Sequence, residues 1–141
     1  MIKILFVCHG NICRSPMAEY VMKDLVEKRG LSYCFHIESS ATSTEEIWNG
    51  IGNPVYPPAK QELAKHGISC EGKRAVQLTK ADYEKYDLLI GMDASNIRNM
   101  HRILGGDQII HIPELGFDGA VMFREGGSFF RLRAGAVQVR G

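Results

Sequence analysis

Apolar residues recur along this chain in two alternating rhythms. "IKILFVC" (2–8) is a continuous apolar run closed by a glycine two residues on, the pattern of a strand buried on both faces of a parallel sheet. From Pro16 to Arg29 the rhythm changes: Met17, Tyr20, Val21, Leu25 and Val26 fall at helical spacing, and Gly30 closes the run. Ser15-Pro16 fits an N-cap followed by proline at the first helical position. "YCFHIES" (33–39) predicts a second strand and "PAKQELAKH" (58–66) a short helix ended by Gly67. "TKADYEKY" (79–86) reads as a Thr-capped helix and "DLLIGM" (87–92) as another buried strand. "DASNIRNMHRIL" (93–104) is a helix with Asp93 as its cap, ended by Gly105-Gly106, and "QIIHIPEL" (108–115) reads as a further strand. Between the second strand and the helix at 58, "ATSTEEIWNGIGNPVYPP" is rich in Gly, Pro and Asn and predicts a long loop of the functional kind.

Strands alternating with helices at this distance predict βαβ units, hence an α/β fold with a parallel sheet covered on both faces. The 141 residues suit one domain, 1–141, with a sizeable core, and no repeat or interdomain linker interrupts them. Ligands of such sheets sit beyond the carboxyl ends of the strands, where strand passes into helix. The segment after "IKILFVC" lies at one of those places.

Charge adds little to this picture and removes some partners. Lys plus Arg number 17 against 16 for Asp plus Glu, so no net field points to nucleic acid or a membrane surface. "MIKILFV" is too short to span a membrane and is followed by no secretory cleavage pattern, which makes a cytoplasmic location the expectation. The four cysteines (Cys8, Cys13, Cys34 and Cys70) form no CxxC pair and no zinc-ligand spacing, so no metal is expected. A disulfide scaffold does not suit a cytosolic chain of this size, which leaves buried or reactive thiols.

The chemistry concentrates in "FVCHGNICRSPMAE" (6–19). Cys8 ends a strand and a helix begins near Arg14, so the intervening His9, Gly10, Asn11, Ile12 and Cys13 can turn successive backbone N–H groups inward as an anion nest. The helix N-terminus adds its positive end. Gly10 permits positive φ and Asn11 tolerates left-handed geometry. Arg14 offers a planar fork that matches two phosphate oxygens. The same donors favour the thiolate form of Cys8, a nucleophile in line with any phosphorus bound above it. Ser15 is placed to hydrogen-bond that sulfur. Cys13 is either core packing or a partner for Cys8 in a reversible disulfide. Trp48 and Tyr56 either stack on a substrate ring or pack on the core. His66 suits a structural place at a helix end, and Cys34 and Cys70 read as apolar fillers.

"VCHGNICRSPMAE" closely resembles the signature of the low-molecular-weight protein tyrosine phosphatases, V-C-x-G-N-x-C-R-S-P. "SSATST", "IGNPVYPPA", "HGI", the Q-L-T-x-x-D-Y stretch and "DLLIGMDASNIR" extend the resemblance from Met1 to about Gly106. It implies a three-layer sandwich with a four-stranded parallel sheet and a phosphate-binding loop between the first strand and the first helix. It also implies cofactor-free hydrolysis of phosphotyrosine or another aryl phosphate through a cysteinyl-phosphate. By position, the resemblance makes Cys8 the nucleophile and Arg14 the phosphate clamp. His9, Gly10, Asn11, Ile12, Cys13 and Ser15 then form the phosphate-binding loop. Asn11, Ser15 and Ser39 match the polar network that shapes it, and Cys13 matches the redox partner. The partners implied are a tyrosine-phosphorylated protein and inorganic phosphate or similar oxyanions. Ile12 stands where the related phosphoarginine phosphatases have Thr, which favours phosphotyrosine.

The chain departs from that pattern after Gly106. The family's general acid lies in a late Asp-Pro segment, and this chain has no Asp-Pro at all. The tail 107–141 is divergent, its glycines leave no clear amphipathic helix, and its two Asp residues are Asp107 and Asp118. Asp118 is either a replacement acid or an exposed turn residue, and a weakened general-acid step is the expectation. Two other functions remain open: a phosphate or phosphotyrosine binding module with the nest intact, and an arsenate reductase. The last needs two further cysteines close together, and Cys70 has no nearby companion in the sequence.

Overall fold

The computed structural model describes residues 1–105 in full and, beyond them, the backbone of four short strands between 116 and 140. The opening apolar run forms β1 (Ile2–Cys8). It is the middle strand of a parallel sheet in the order β2-β1-β5, where β2 is Phe35–Ala41 and β5 is Leu88–Gly91. The register runs from Ile2↔Phe35 to Cys8↔Ala41 on one side and from Ile4↔Leu88 to Val7↔Gly91 on the other.

Helices on both faces explain why β1 is apolar and buried from Ile4 to Cys8 rather than alternately. Ile4, Phe6 and Cys8 join one core with Ala18 and Val26 of α1 (Arg14–Lys28). Leu5 and Val7 join another with Met100 and Leu104 of α4 (Ala94–Leu104). Each of the Ile, Leu, Val, Phe and Met side chains among them contributes roughly 1.5–3 kcal/mol when taken fully from water. Gly91 lets α4 approach this closely, since a Cβ there would lie 2.5 Å from Ile97 Cδ1. A third cluster packs Met17 of α1 against Val55, Cys70, and Ala59 and Leu63 of α2 (Pro57–Lys65).

The α/β expectation holds, with local corrections. Among the described residues the parallel sheet has three strands; the segment expected to supply the fourth, 108–115, lies outside them. Helix α1 begins at Arg14, two residues before Pro16, and Ser15 is not its cap. Strand β2 starts at Phe35 behind a 3₁₀ turn (Ser32–Cys34), because pairing with β1 overrides the local apolar pattern. Thr79 does not cap α3 (Asp82–Lys85); its N–H and hydroxyl both donate to Asp82 Oδ2, at 2.9 and 3.3 Å. Asp93 does cap α4: it accepts from the Asn96 N–H at 2.7 Å, and its own N–H donates to Asn96 Oδ1.

The long loop hides a hairpin. β3 (Ile47–Trp48) and β4 (Ile51–Gly52) pair across Asn49-Gly50, both at positive φ (50° and 75°), as a two-residue primed turn requires. The chain from β4 then runs against residues 74–76: a Cβ on Gly52 would lie 2.0 Å from the Ala75 carbonyl oxygen, so only glycine fits. The strands of the tail, β6 (Gly116–Phe117), β7 (Ala120–Glu125), β8 (Ser128–Arg133) and β9 (Ala136–Arg140), pair antiparallel in sequence order. Asp107 and Asp118 lie outside the described residues. No helix among the described residues is long and apolar enough to cross a membrane.

Candidate active site

Strand β1 ends at Cys8 and α1 starts at Arg14, so five residues turn the chain from sheet to helix. Four carbonyls between Cys8 and Cys13 accept from N–H groups beyond the turn. Cys8 O accepts from Thr42 N–H (2.9 Å), His9 O from Ser43 (2.9 Å), Ile12 O from Tyr56 (2.7 Å) and Cys13 O from Met17 (3.1 Å). Across a trans peptide the next N–H points the opposite way. The amides of His9, Gly10, Cys13 and Arg14 therefore point into the turn, as an anion nest needs. Asn11 takes the left-handed step at φ 58° and is 1% exposed.

The Cys8 sulfur sits at the base of this turn. Asn11 N–H donates to it at 3.3 Å, and Ser15 Oγ is 3.0 Å away. Ser15 is thus committed to the sulfur rather than to the helix end, which is why its cap-like position misleads. Asn11 Nδ2 donates to Ser15 Oγ (2.7 Å) and Ser39 Oγ (2.9 Å), while its Oδ1 accepts from Val76 N–H (3.0 Å). Asn11, Ser15 and Ser39 are therefore brought together as one buried network.

Arg14 stands at the rim. Its Nη1 donates to Asp93 Oδ2 at 2.7 Å, which fixes one arm of the fork. Partial burial pushes the Asp93 carboxyl up. The Arg14 hydrogen bond, the Asn96 and Ser95 N–H groups and the guanidinium charge outweigh burial, so the group titrates below its ordinary value. Sequence reading saw Asp93 only as a helix cap. The missed signal was topological: Arg14 and Asp93 both follow the carboxyl ends of neighbouring strands, β1 and β5.

Cys13, the second cysteine of the turn, is half-buried. Burial pushes its thiol up to about 11, the nearby Cys8 adds to this and Arg14 opposes it, so Cys13 is a neutral thiol at pH 7. All four cysteines are free. The His9 ring turns outward, with Nε2 3.0 Å from Glu45 Oε1, so only its backbone faces the nest. Trp48 is 79% exposed at the hairpin, which rules out core packing for it, and Tyr56 is half-exposed. His66 lies at the end of α2 with Nε2 3.6 Å from Glu62, a structural place. Cys70 is buried beside α2, and Cys34 is only partly buried. Among the described residues no three His, Cys, Asp or Glu side chains group as metal ligands would.

The sequence model described as Low molecular weight phosphotyrosine protein phosphatase matches residues 3–116. The chain belongs to that family. The phosphatase YfkJ of Bacillus subtilis is 40% identical over 115 residues, covering 82% of this chain and 71% of that protein. The mouse low molecular weight phosphotyrosine protein phosphatase is 43% identical over 99 residues, 70% of this chain and 60% of the mouse protein. The chain thus spans well under the full length of these relatives. The crystal structure of YfkJ superposes with a TM-score of 0.73 at 38% identity, covering 79% of this chain and 69% of that one.

Proposed function

We propose that the chain hydrolyses aryl phosphate monoesters, phosphotyrosine among them, through a cysteinyl-phosphate on Cys8. The observation that carries this reading is the sulfur at the focus of the turn, with Asn11 N–H 3.3 Å and Ser15 Oγ 3.0 Å away. A phosphoryl group seated on the inward amides brings its phosphorus over that sulfur. The sulfur attacks, an S–P bond forms, and the P–O bond to the aryl group breaks with its electron pair leaving on the phenolate oxygen. Water then attacks phosphorus, and the thiolate leaves toward the Ser15 hydroxyl. Arg14 and the nest amides hold the equatorial oxygens through both steps. Inorganic phosphate, the product, is a ligand of the same nest.

Cys8 is the proposed nucleophile, Arg14 the clamp and Cys13, a neutral thiol, the reserve partner for an oxidised Cys8. The Ile12 carbonyl holds the Tyr56 N–H, which ties the half-exposed Tyr56 to the turn, an aromatic side chain suited to packing on a phenyl ring. Phosphotyrosine of a protein is accordingly the proposed substrate class. Turnover of p-nitrophenyl phosphate and a phosphotyrosine peptide, inhibited by vanadate and abolished in Cys8→Ser, is expected. Vanadate-insensitive turnover, or turnover retained in Cys8→Ser, would refute the mechanism, and silence in both proteins would turn the assignment to a binding module.

The leaving oxygen needs a proton, and the chain carries no Asp-Pro segment. A missing general acid costs about 10²–10⁴ in rate on poor leaving groups. p-Nitrophenyl phosphate should therefore turn over far faster than phenyl phosphate at neutral pH. Equal rates would mean that a carboxylate protonates the leaving group after all.

A further inference from the structure

The β3–β4 hairpin is held firmly at its base and loosely at its tip. At the base, Asn53 N–H donates to the Glu46 carbonyl at 2.8 Å and Asn53 Nδ2 to Glu46 Oε2 at 2.7 Å. The chain beyond is anchored too: Ala75 N–H donates to the Asn53 carbonyl at 2.9 Å and Arg74 Nη1 to the Gly52 carbonyl at 3.0 Å. The tip has the single pair Trp48↔Ile51 beneath its turn, with side chains 79% and 64% exposed. A two-stranded ribbon this short is marginal by itself, so the tip frays while the base stays closed.

Asn49 and Gly50 form that tip, and both are exposed. Asparagine followed by glycine is chemically labile, because the glycine amide nitrogen reaches the asparagine Cγ with no side chain in the way. A Cβ on Gly50 would meet nothing within 4 Å, so no neighbour shields the approach. The four other asparagines are protected. Asn11 and Asn96 are 1% and 2% exposed and precede isoleucines. Asn53 precedes Pro54, whose nitrogen carries no hydrogen to lose. Asn99 lies within α4, where the helix fixes the backbone.

We propose that Asn49 is a site of spontaneous deamidation, a modification site at the hairpin tip. The Gly50 nitrogen attacks Asn49 Cγ, a C–N bond forms, and the Cγ–Nδ2 bond breaks as ammonia leaves with the amide proton. Water then opens the cyclic imide. Opening at one carbonyl gives aspartate on an unchanged backbone. Opening at the other gives isoaspartate, whose main chain runs through Cγ and is one methylene longer. Aspartate still tolerates the left-handed conformation, so the turn survives it. The longer backbone of isoaspartate does not fit a two-residue primed turn, so the tip opens and Trp48 is released. The change falls beside the anion nest, since Glu46 at the hairpin base has its Cγ 3.2 Å from where a Cβ on Gly10 would stand.

The test is to age the protein in mildly alkaline buffer, where the attacking nitrogen loses its proton more readily, and to follow the asparagine peptides by mass spectrometry. The Asn49 peptide should gain acid, mostly isoaspartate, at least about tenfold faster than the Asn99 peptide, because frayed ends open at almost no cost and helix interiors do not. Trp48 is the only tryptophan of the chain, so fluorescence anisotropy reads the hairpin directly. Anisotropy should fall in step with isoaspartate, stay at its starting value in fresh Asn49→Asp, and hold through ageing in Asn49→Ser. An Asn49 peptide that converts no faster than the Asn99 peptide overturns the proposal. Full conversion to isoaspartate with unchanged anisotropy overturns it as well. So does a fresh Asn49→Asp protein as mobile as the aged one, which would make charge the cause, or an equal fall in aged Asn49→Ser.

Discussion

The turn from Cys8 to Arg14 is held at two places of opposite character. At its rim, Arg14 meets Asp93 through one 2.7 Å hydrogen bond between side chains 20% and 36% exposed. At its floor, Asn11 is 1% exposed and makes side-chain bonds to Ser15, Ser39 and the backbone of Val76. The rim pair is wetted and screened by salt, so it aims a charge more than it stabilises the fold. The floor is dry, and every polar group there must be satisfied or carry its full desolvation cost. One anchor should thus answer in rate, the other in stability.

Three substitutions test that division, in descending order of effect. Arg14→Lys keeps the charge but loses the planar fork, and kcat on p-nitrophenyl phosphate should fall roughly 10²–10³-fold. Its melting temperature should hardly move; a matching loss of stability would erase the distinction. Asn11→Ala places a Cβ residue at φ 58° without its local hydrogen bonds and strands the Val76 N–H. Unfolding in urea should show a loss of about 3 kcal/mol, and a loss below about 1 kcal/mol would mean the floor is not the stabilising anchor.

Asp93→Asn is the mildest, because an asparagine still caps α4. Activity should drop several-fold and stability by less than about 1 kcal/mol. The sign of its pH dependence follows from a folded-state pKa below the ordinary 3.8. The ionised carboxylate contributes fully above that ordinary value, and its contribution is lost as pH falls through the lower folded-state value. The melting-temperature gap between the unsubstituted protein and the Asp93→Asn variant should persist at pH 6 and close in stronger acid. A gap that widens in acid would contradict the ion pair.

Much of the fold was legible because its signals are local. The limits of β1, the Asp93 cap and the glycine stop of α4 each rest on neighbours within a few residues. The errors arose where a distant partner overruled a local preference. Ser15 looks like a cap until Cys8 and Asn11 claim its hydroxyl. "YCFHIES" looks like a strand from Tyr33 until β1 sets the register at Phe35. The Asn49-Gly50 hairpin was missed for another reason: its strands are two residues long, too short for periodicity to register.

The sequence by itself determined the turn from Cys8 to Arg14, because a nest of consecutive amides, a left-handed Asn and a helix start are properties of one contiguous stretch. Only the tertiary structure decided what holds that stretch. Ser39 lies 28 residues from Asn11 in the chain, Val76 lies 65 from it, and Asp93 lies 79 from Arg14. The order β2-β1-β5 gathers their segments around the end of β1. No local pattern encodes such neighbours, because a hydrogen bond depends on distance in space, and the strand order sets that distance.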